Sequence, residues 1–267
     1  MADGKTDNNL SVDETSQFII SYPLLESNDN ILGKIKEFDV NIDDFNKFIL
    51  QSLELADIQI DLEKFIEFQF TRFIAKIQLH NSHAIELTQD YLSEFNSDYN
   101  IWFYRKYLLE NFWTEDIIRS EFDFLFKILN ECPKIFQIYS YRRWFVHFAN
   151  ENQLYNLDKD LERLKEVLLS EDNNYMLWQH INFIATSFNH VEYLIELTKE
   201  IMMRDKYNSS PYYHRMYAFK LLPDSVDYSE EIKFLESLEI DMNHPYSEAY
   251  EFYRTEFDDI FQLSSES

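Results

Sequence analysis

The sequence predicts an all-α fold, a right-handed superhelical solenoid of antiparallel helical hairpins similar to tetratricopeptide arrays. The chain of 267 residues contains only two glycines and five prolines, fewer than the turns of a β-sheet protein require. Its apolar residues recur at the spacing of one helix face. One segment pattern also recurs five times with a period near 37 residues, which is typical of hairpins that bury their apolar faces against their neighbours.

Composition excludes several function classes. Lysine and arginine total 24 against 49 aspartates and glutamates, a formal charge of −25, whereas nucleic-acid binding requires a basic face. The same charge disfavours an anionic membrane surface, and no apolar run reaches the ~18 residues of a membrane span. We therefore expect no nucleic-acid partner and no stable membrane insertion. Cys132 is the single cysteine, which excludes an intrachain disulfide and fits a cytoplasmic location.

The elements before the repeats are predicted in chain order. Residues 1–28 are polar and acidic, and we expect a flexible N-terminal segment there. Residues 29–267 are expected to form a single helical-repeat domain, with about five repeats between 75 and 257. Its first helices correspond to DDFNKFILQSLELA and DLEKFIEFQFTRFIAKIQL, because both place apolar residues at i, i+3, i+4 and i+7.

Each repeat is predicted to be a helix, a short polar turn and a second helix that carries one bulky aromatic residue in register. These register aromatics follow one another at intervals of 37, 39, 34 and 38 residues. We expect them to fill the space between adjacent hairpins. The five register aromatics are Trp102, Tyr139, Trp178, Tyr212 and Tyr250.

An arginine follows the register aromatic by three positions in three of the repeats, at Arg105, Arg142 and Arg215. Ile181 and Tyr253 occupy the position in the other two. In a stacked array such an arginine can pair with a carboxylate of the next hairpin. We therefore assign these arginines, together with Arg143, mainly to structure rather than to anion binding.

Two segments carry a resemblance to a known family. DYNIWFYRKYLL has the form Asx-Tyr-x-x-Trp-x-x-Arg-(Arg/Lys)-x-x-Leu, and NNYMLWQHINFI departs from it at Ile181. Recurring at this period, the pattern resembles the α-subunit repeat of the protein prenyltransferases. The resemblance covers residues from about 75 to 257.

This resemblance implies a fold, a partner and an activity. The family's α subunit is a crescent of helical hairpins wrapped around a β subunit, an α/α barrel that holds zinc and the isoprenoid pocket. The enzyme transfers a farnesyl or geranylgeranyl group from its diphosphate to a cysteine thiolate near the C-terminus of a target protein. The chain would then be half of an enzyme with no cofactor of its own. Zinc, with magnesium as a further candidate, would be bound by the β subunit.

The resemblance assigns a chemical role to the segment PKIFQIYSYRRW, which begins at Pro133. In the family's second repeat a Pro-Lys pair precedes the register aromatic, and its lysine reaches the diphosphate. Lys134 occupies that position. Negative charge builds on the diphosphate as its bond to C1 breaks, and a cation placed there stabilises the charge. Lys134 is therefore the expected catalytic residue.

Four further residues match substrate-contacting positions of the family. Phe136 replaces a tyrosine near the isoprenoid and peptide, so the aromatic ring remains and the hydroxyl is lost. Gln137 matches a glutamine that, in the farnesyltransferase type, binds the target's C-terminal carboxylate, for which an amide NH₂ is a suitable donor. Asn174 and Tyr175 match an Asn-Tyr pair that faces the active site. Helix capping and core packing are the alternative roles for this pair.

Three alternatives stay open. Gln137 favours the α subunit shared by farnesyltransferase and geranylgeranyltransferase type I, whereas the longer intervals around the second repeat fit the Rab geranylgeranyltransferase α subunit. The chain could also have a function of another class, as a non-catalytic helical-repeat scaffold that binds proteins. Phe68 lies 34 residues before Trp102, and an additional repeat there would move the family's lysine position to Ser97. The match of SHAIELTQDYLSEFNSDYNIW to the family's first repeat favours the register with Lys134.

Overall fold

A computed structural model describes residues 29–53, 62–171, 173–223 and 227–265 of the chain. The predicted flexibility of residues 1–28 lies outside these ranges. The chain divides into two compact units, residues 1–113 and 114–267, and the single repeat domain expected over residues 29–267 stays a prediction.

The described part of the first unit contains five helices. The second of them packs on the third, and the fourth packs on the fifth. The helices are α1 Asp29–Glu37, α2 Ile42–Leu53, α3 Leu62–Lys76, α4 Ala84–Glu94 and α5 Tyr99–Phe112.

The described part of the second unit contains eight helices. They are α6 Glu115–Glu131, α7 Phe136–Glu151, α8 Leu157–Ser170, α9 Tyr175–Ser187, α10 Glu192–Arg204, α11 Ser209–Leu221, α12 Tyr228–Ser237 and α13 Glu248–Ser265. Within the unit, α7 contacts α9, α9 contacts α11, and α11 contacts α13. The second helices of successive hairpins therefore form one layer, as a hairpin array requires.

The predicted all-α repeat fold is confirmed. Over the described ranges every regular element is a helix, and the five predicted repeats correspond to five hairpins that begin with α4. A further hairpin, α2 with α3, precedes them. Phe68 on α3 packs edge-on against Tyr91 and Phe95, with ring centroids 5.5 and 4.9 Å apart.

Three of the five register aromatics hold the turn that precedes their helix through a hydrogen bond. Trp102 donates its indole N–H to the carbonyl of Asn96 at 2.7 Å. The Tyr139 hydroxyl donates to Pro133 O at 2.6 Å, and the Tyr212 hydroxyl donates to Lys206 O at 2.7 Å. In all three cases the acceptor lies six residues earlier. Tyrosine can replace tryptophan because its hydroxyl reaches the same carbonyl, which satisfies a buried polar group on each side.

An Asx residue four positions before the register aromatic caps three of the second helices. Asp98 accepts from the N–H of Asn100, and Asn174 and Asn208 accept likewise from the first turns of α9 and α11. Such caps satisfy N–H groups that have no partner within the helix. Ile135 occupies this position before α7 and makes no side-chain cap.

Several helices end without the glycine that usually closes them. Asp39, Gln78, Gln153, Asn189 and Glu239 each lie two residues after a helix and have φ between 48° and 60°. After each of the first four, the backbone N–H of the following residue donates to the carbonyl five residues before it, with N to O distances of 2.7–3.0 Å. Glycine has no steric penalty there, so the chain's scarcity of glycine places strained residues at these junctions.

Two of the register arginines tie their helix to the preceding one. Arg105 donates from Nη1 to Thr88 Oγ1 at 2.8 Å, and Arg215 does the same to Thr198 Oγ1 at 3.2 Å. Each threonine lies 17 residues before its arginine. Both guanidinium groups are almost fully buried, so these hydrogen bonds replace those that water would provide.

Register arginines also form buried ion pairs with the next hairpin. The Nη2 of Arg142 lies 2.7 and 2.9 Å from the two carboxylate oxygens of Asp160. Arg215 binds Glu231 through Nε at 2.8 Å and through Nη2 at 2.5 Å. The four side chains are at most 4% exposed. The predicted pairing is confirmed for both arginines.

Removing one partner of such a pair should strongly destabilise the chain. We expect Arg215→Met to lower the free energy of unfolding by about 3–5 kcal/mol, because Glu231 would stay buried without its cation. The control is Arg119→Met, since the Arg119 side chain is 65% exposed and an ion pair on the surface contributes little to stability. Urea unfolding followed by circular dichroism measures both. Equal losses for the two variants would contradict the structural role of Arg215.

Candidate functional site

The turn between α6 and α7 carries the predicted catalytic lysine. The side chain of Lys134 is 69% exposed, and its Nζ lies 3.0 Å from Oε2 of Glu171, whose side chain is 42% exposed. Glu171 stands directly after α8, where it is the C-cap residue. The cation is thus accessible to a ligand and is held by a carboxylate of the next hairpin.

The backbone next to Lys134 is fixed by two helices. The carbonyl of Pro133 accepts a hydrogen bond from the Tyr139 hydroxyl at 2.6 Å and another from Asn174 Nδ2 at 2.5 Å. Asn174 also caps α9, because its Oδ1 accepts from Leu177 N at 3.1 Å. Burial raises the pKa of Tyr139 to about 12, so its hydroxyl remains a donor at neutral pH. The turn is therefore clamped from its own repeat and from the next one.

The other predicted site residues differ in exposure. Phe136 and Tyr175 are the first residues of α7 and α9 and are 63% and 70% exposed. Gln137 is half-buried. Asn174 is only 2% exposed, and its amide is used by the cap and the turn. The hydrogen bond from Asn174 to Pro133 joins the starts of the two helices, and Asn174 acts there as a positioning residue. Contact of these four residues with a substrate stays a prediction.

The start of α7 favours an anion. This helix has 16 residues, and its N-cap residue Ile135 offers no side-chain acceptor to the first turn. The N–H groups at a helix start carry a partial positive charge. Lys134 directly precedes this end, so two sources of positive potential coincide in a chain of net charge −25.

A buried histidine lies beside the Arg142 ion pair and serves structure. The Nε of Arg142 donates to His180 Nε2 at 3.1 Å. Burial, with Arg142 and Arg143 as further causes, lowers the pKa of His180 well below its ordinary value. His180 is therefore neutral at physiological pH and unsuited to proton transfer with solvent.

A second buried histidine follows in the fourth hairpin. The ring of His214 stacks on Trp178 with centroids 4.6 Å apart, and its Nδ1 lies 2.7 Å from Asn182 Nδ2. Burial lowers the pKa of His214 to about 4. This histidine is likewise neutral near pH 7.

Two further properties bear on the site. No group of three or more His, Cys, Asp or Glu side chains suited to a metal ion occurs in the described part of the chain. Over the same ranges, none of the helices combines the length and the apolar character that crossing a bilayer requires.

Sequence reasoning missed two members of the site. Glu171 lies 37 residues from Lys134 and pairs with it only through the fold, so no local pattern marks it. The role of the Tyr139 hydroxyl could have been predicted, because a turn residue lies six positions before the register aromatic in several repeats. Trp102 and Tyr212 show the same geometry.

The hairpins and the clamped turn define a helical-repeat protein, and two of the hairpins match a known family model. The profile of the protein prenyltransferase alpha subunit repeat matches residues 81–112 and 118–149. These ranges lie in the hairpins α4–α5 and α6–α7, and the second contains Lys134. These two hairpins thus match the repeat of the protein prenyltransferase alpha subunit, which confirms the resemblance in the sequence.

Comparison with solved structures agrees on the fold. A chain of Candida albicans protein geranylgeranyltransferase-I, complexed with GGPP, matches with a TM-score of 0.64 and 19% sequence identity. The match covers 75% of this chain and 69% of that chain. No curated protein sequence matches.

Acidification should destabilise the chain. His214 has a pKa of about 4 when folded and about 6.5 when unfolded. Between these values the unfolded state binds a proton that the folded state does not. The free energy of unfolding should therefore fall by about 1.4 kcal/mol per pH unit as pH drops below 6.5, and His180 acts in the same direction. Urea unfolding at pH 7 and pH 5 measures the slope.

Variants separate the histidines. His214→Phe keeps a ring against Trp178 and should reduce the pH slope. Identical slopes for His214→Phe and the unmodified chain would contradict the assignment.

Proposed function

We propose that the chain is the α subunit of a heterodimeric protein prenyltransferase. The complex transfers a farnesyl or geranylgeranyl group from its diphosphate to a C-terminal cysteine thiolate of a target protein. One observation carries the proposal: an exposed lysine stands on a clamped turn inside a repeat that matches the family profile at residues 118–149.

The geometry of the turn suits stabilisation of a leaving diphosphate. As the bond from C1 to the diphosphate oxygen breaks, negative charge develops on the diphosphate. The ammonium of Lys134 and the uncapped start of α7 both favour charge at that place. The hydrogen bonds from Tyr139 and Asn174 hold the backbone beside the lysine, so little reorganisation is needed when the charge develops.

The proposed reaction requires a second subunit. Following the family resemblance, the zinc that would bind the thiolate, with magnesium as a further candidate, is assigned to an α/α-barrel partner. The similar Candida albicans structure is a geranylgeranyltransferase-I complexed with GGPP, which supports a prenyl diphosphate as the ligand class. The cytoplasm stays the proposed location, and its only support is that the chain has a single cysteine.

Among prenyltransferase types we favour substrates of the farnesyltransferase and geranylgeranyltransferase type I class. Gln137 supports this choice, because its amide can donate to a C-terminal carboxylate and it lies three residues after Lys134. The Rab type stays the alternative, because the intervals between register aromatics around the second repeat are longer.

Copurification tests the proposal. The chain would be tagged in its native cells, its partner identified by mass spectrometry, and the complex assayed for prenyl transfer. Lys134→Ala should lower kcat by at least tenfold, because the developing charge on the diphosphate loses its cation. Lys159→Ala removes an exposed lysine of α8 and should leave the rate unchanged.

The outcomes separate the candidate functions. A barrel subunit together with the loss in Lys134→Ala supports a catalytic subunit, and the identity of the barrel distinguishes the substrate types. Absence of such a subunit, or equal rates for both variants, would leave a protein-binding repeat scaffold in place of the enzyme.

Glu171 should compete with the diphosphate for Lys134. A bound diphosphate must displace the carboxylate, whose ion pair is exposed and contributes about 0.2–1 kcal/mol. Glu171→Gln should therefore lower the KM for the prenyl diphosphate by about twofold to fivefold with kcat nearly unchanged. Steady-state kinetics of the complex measures both constants.

The matched control is Glu131→Gln, which removes an exposed carboxylate three residues before Lys134. It should change KM by much less than Glu171→Gln. Equal effects of the two variants would mean that KM responds only to the net charge near the site. A raised KM in Glu171→Gln would mean that Glu171 holds Lys134 in its productive position.

A further inference from the structure

A groove runs between the second helices of the third and fourth hairpins. It has a volume of about 610 Å³. Its walls include Gln179 and Phe183 of α9 and Tyr213 and Tyr217 of α11, with Arg143 of α7 at one side. Tyr213 is 54% exposed and Tyr217 is 38% exposed, so aromatic rings stand open to solvent along one wall.

The first unit contains a similar groove of about 370 Å³ between α3 and α5. Phe103 and Tyr107 of α5 form one wall, and Arg72 and Lys76 of α3 form the other. Phe103 is 56% exposed.

The two grooves occupy the same place in their repeats. In the groove between α9 and α11, α11 contributes four residues. One lies two positions before Tyr212, and the others lie one, two and five positions after it. Residues two before and one, two and five after Trp102 line the groove of α5. Each groove thus presents an aromatic ring one position after the register residue, at Phe103 or Tyr213, and a tyrosine four positions further on.

Each groove also holds a cation that has no carboxylate. Within the described residues, Arg143 makes no ion pair, and its guanidinium lies 5.1 Å from the ring centroid of Phe183. Lys76 likewise pairs with no carboxylate of the described ranges and lies 5.1 Å from the ring centroid of Phe48. In a chain with twice as many acidic as basic residues, both cations remain available to a carboxylate of a partner.

We infer that these grooves are docking sites for acidic side chains of the partner subunit, with Arg143 as the principal anchor. The planar guanidinium can bind a carboxylate through two parallel hydrogen bonds. Exposed tyrosine and arginine side chains are enriched among the residues that dominate binding at protein interfaces. The inference rests on the proposed function, because the occupant is the second subunit of the prenyltransferase.

Charge favours this occupant over other anions. A nucleic acid would meet the repulsion of a chain of −25, since its phosphates continue beyond the groove. A protein can present single carboxylates to the grooves and neutral or basic residues to the acidic surface around them. Such complementarity sets the register of docking.

Photo-crosslinking tests the location of the partner. A photoreactive p-benzoylphenylalanine would replace Gln179 in the groove or, as a control, the exposed Glu196 on α10. In the copurified complex, the groove position should crosslink to the prenyltransferase partner subunit, and the control position should not. Crosslinks of the groove to a target protein, or equal crosslinking from both positions, would overturn the inference.

Charge reversal tests the anchor. Arg143→Glu should weaken the affinity for the partner subunit by at least tenfold, measured by titration of the purified subunits. Lys159→Glu makes the same charge change on α8, outside both grooves, and should stay within twofold of the unmodified chain. Circular dichroism would verify that both variants are folded.

The failures are distinguishable. A complex that prenylates its target and loses less than twofold in affinity on Arg143→Glu would overturn the docking site and leave the proposed function standing. Absence of a prenyltransferase partner in the copurification would overturn both.

Discussion

A buried arginine three residues after the register aromatic is the interaction on which the arrangement of the hairpins depends. Arg215 binds a threonine of the preceding helix and the carboxylate of Glu231 in the next hairpin. Arg142 binds Asp160 in the same way. An unpaired charge in such a place would cost several kcal/mol, so each pair permits only the packing in which its carboxylate is present. Apolar contacts supply most of the stability, whereas these pairs determine which helix lies beside which.

The candidate site uses the same repeat elements with a few changes. Asp98 and Asn208 cap their helices, but Ile135 leaves the start of α7 uncapped. Asn174 keeps its cap and reaches back to the carbonyl before Lys134. Residues that elsewhere serve structure therefore present a cation and a helix start to a ligand, and the proposed chemistry needs no departure from the fold.

Sequence alone predicted the hairpins that carry the repeat pattern. For the segment before them it predicted two helices but did not count them as a repeat. The α2–α3 hairpin has Phe68 where the register aromatic stands, but Lys64 replaces the cap and Thr71 replaces the arginine. It lacks the signals by which repeats are recognised and is held by aromatic packing. The arginine ion pairs were predictable as a class, yet Asp160 and Glu231 follow their arginines by 18 and 16 residues, an offset that depends on helix length. The pairing of Lys134 with Glu171 joins exposed residues of two hairpins and leaves no trace in local sequence.

The double acceptor at Pro133 limits the modularity of the array. In a hairpin array, units can ordinarily be duplicated, deleted or exchanged, since each contacts only its neighbours. Here the carbonyl beside Lys134 is held by Asn174 of the following hairpin, so these two units are coupled to each other. An exchange of hairpins would therefore have to transfer both together.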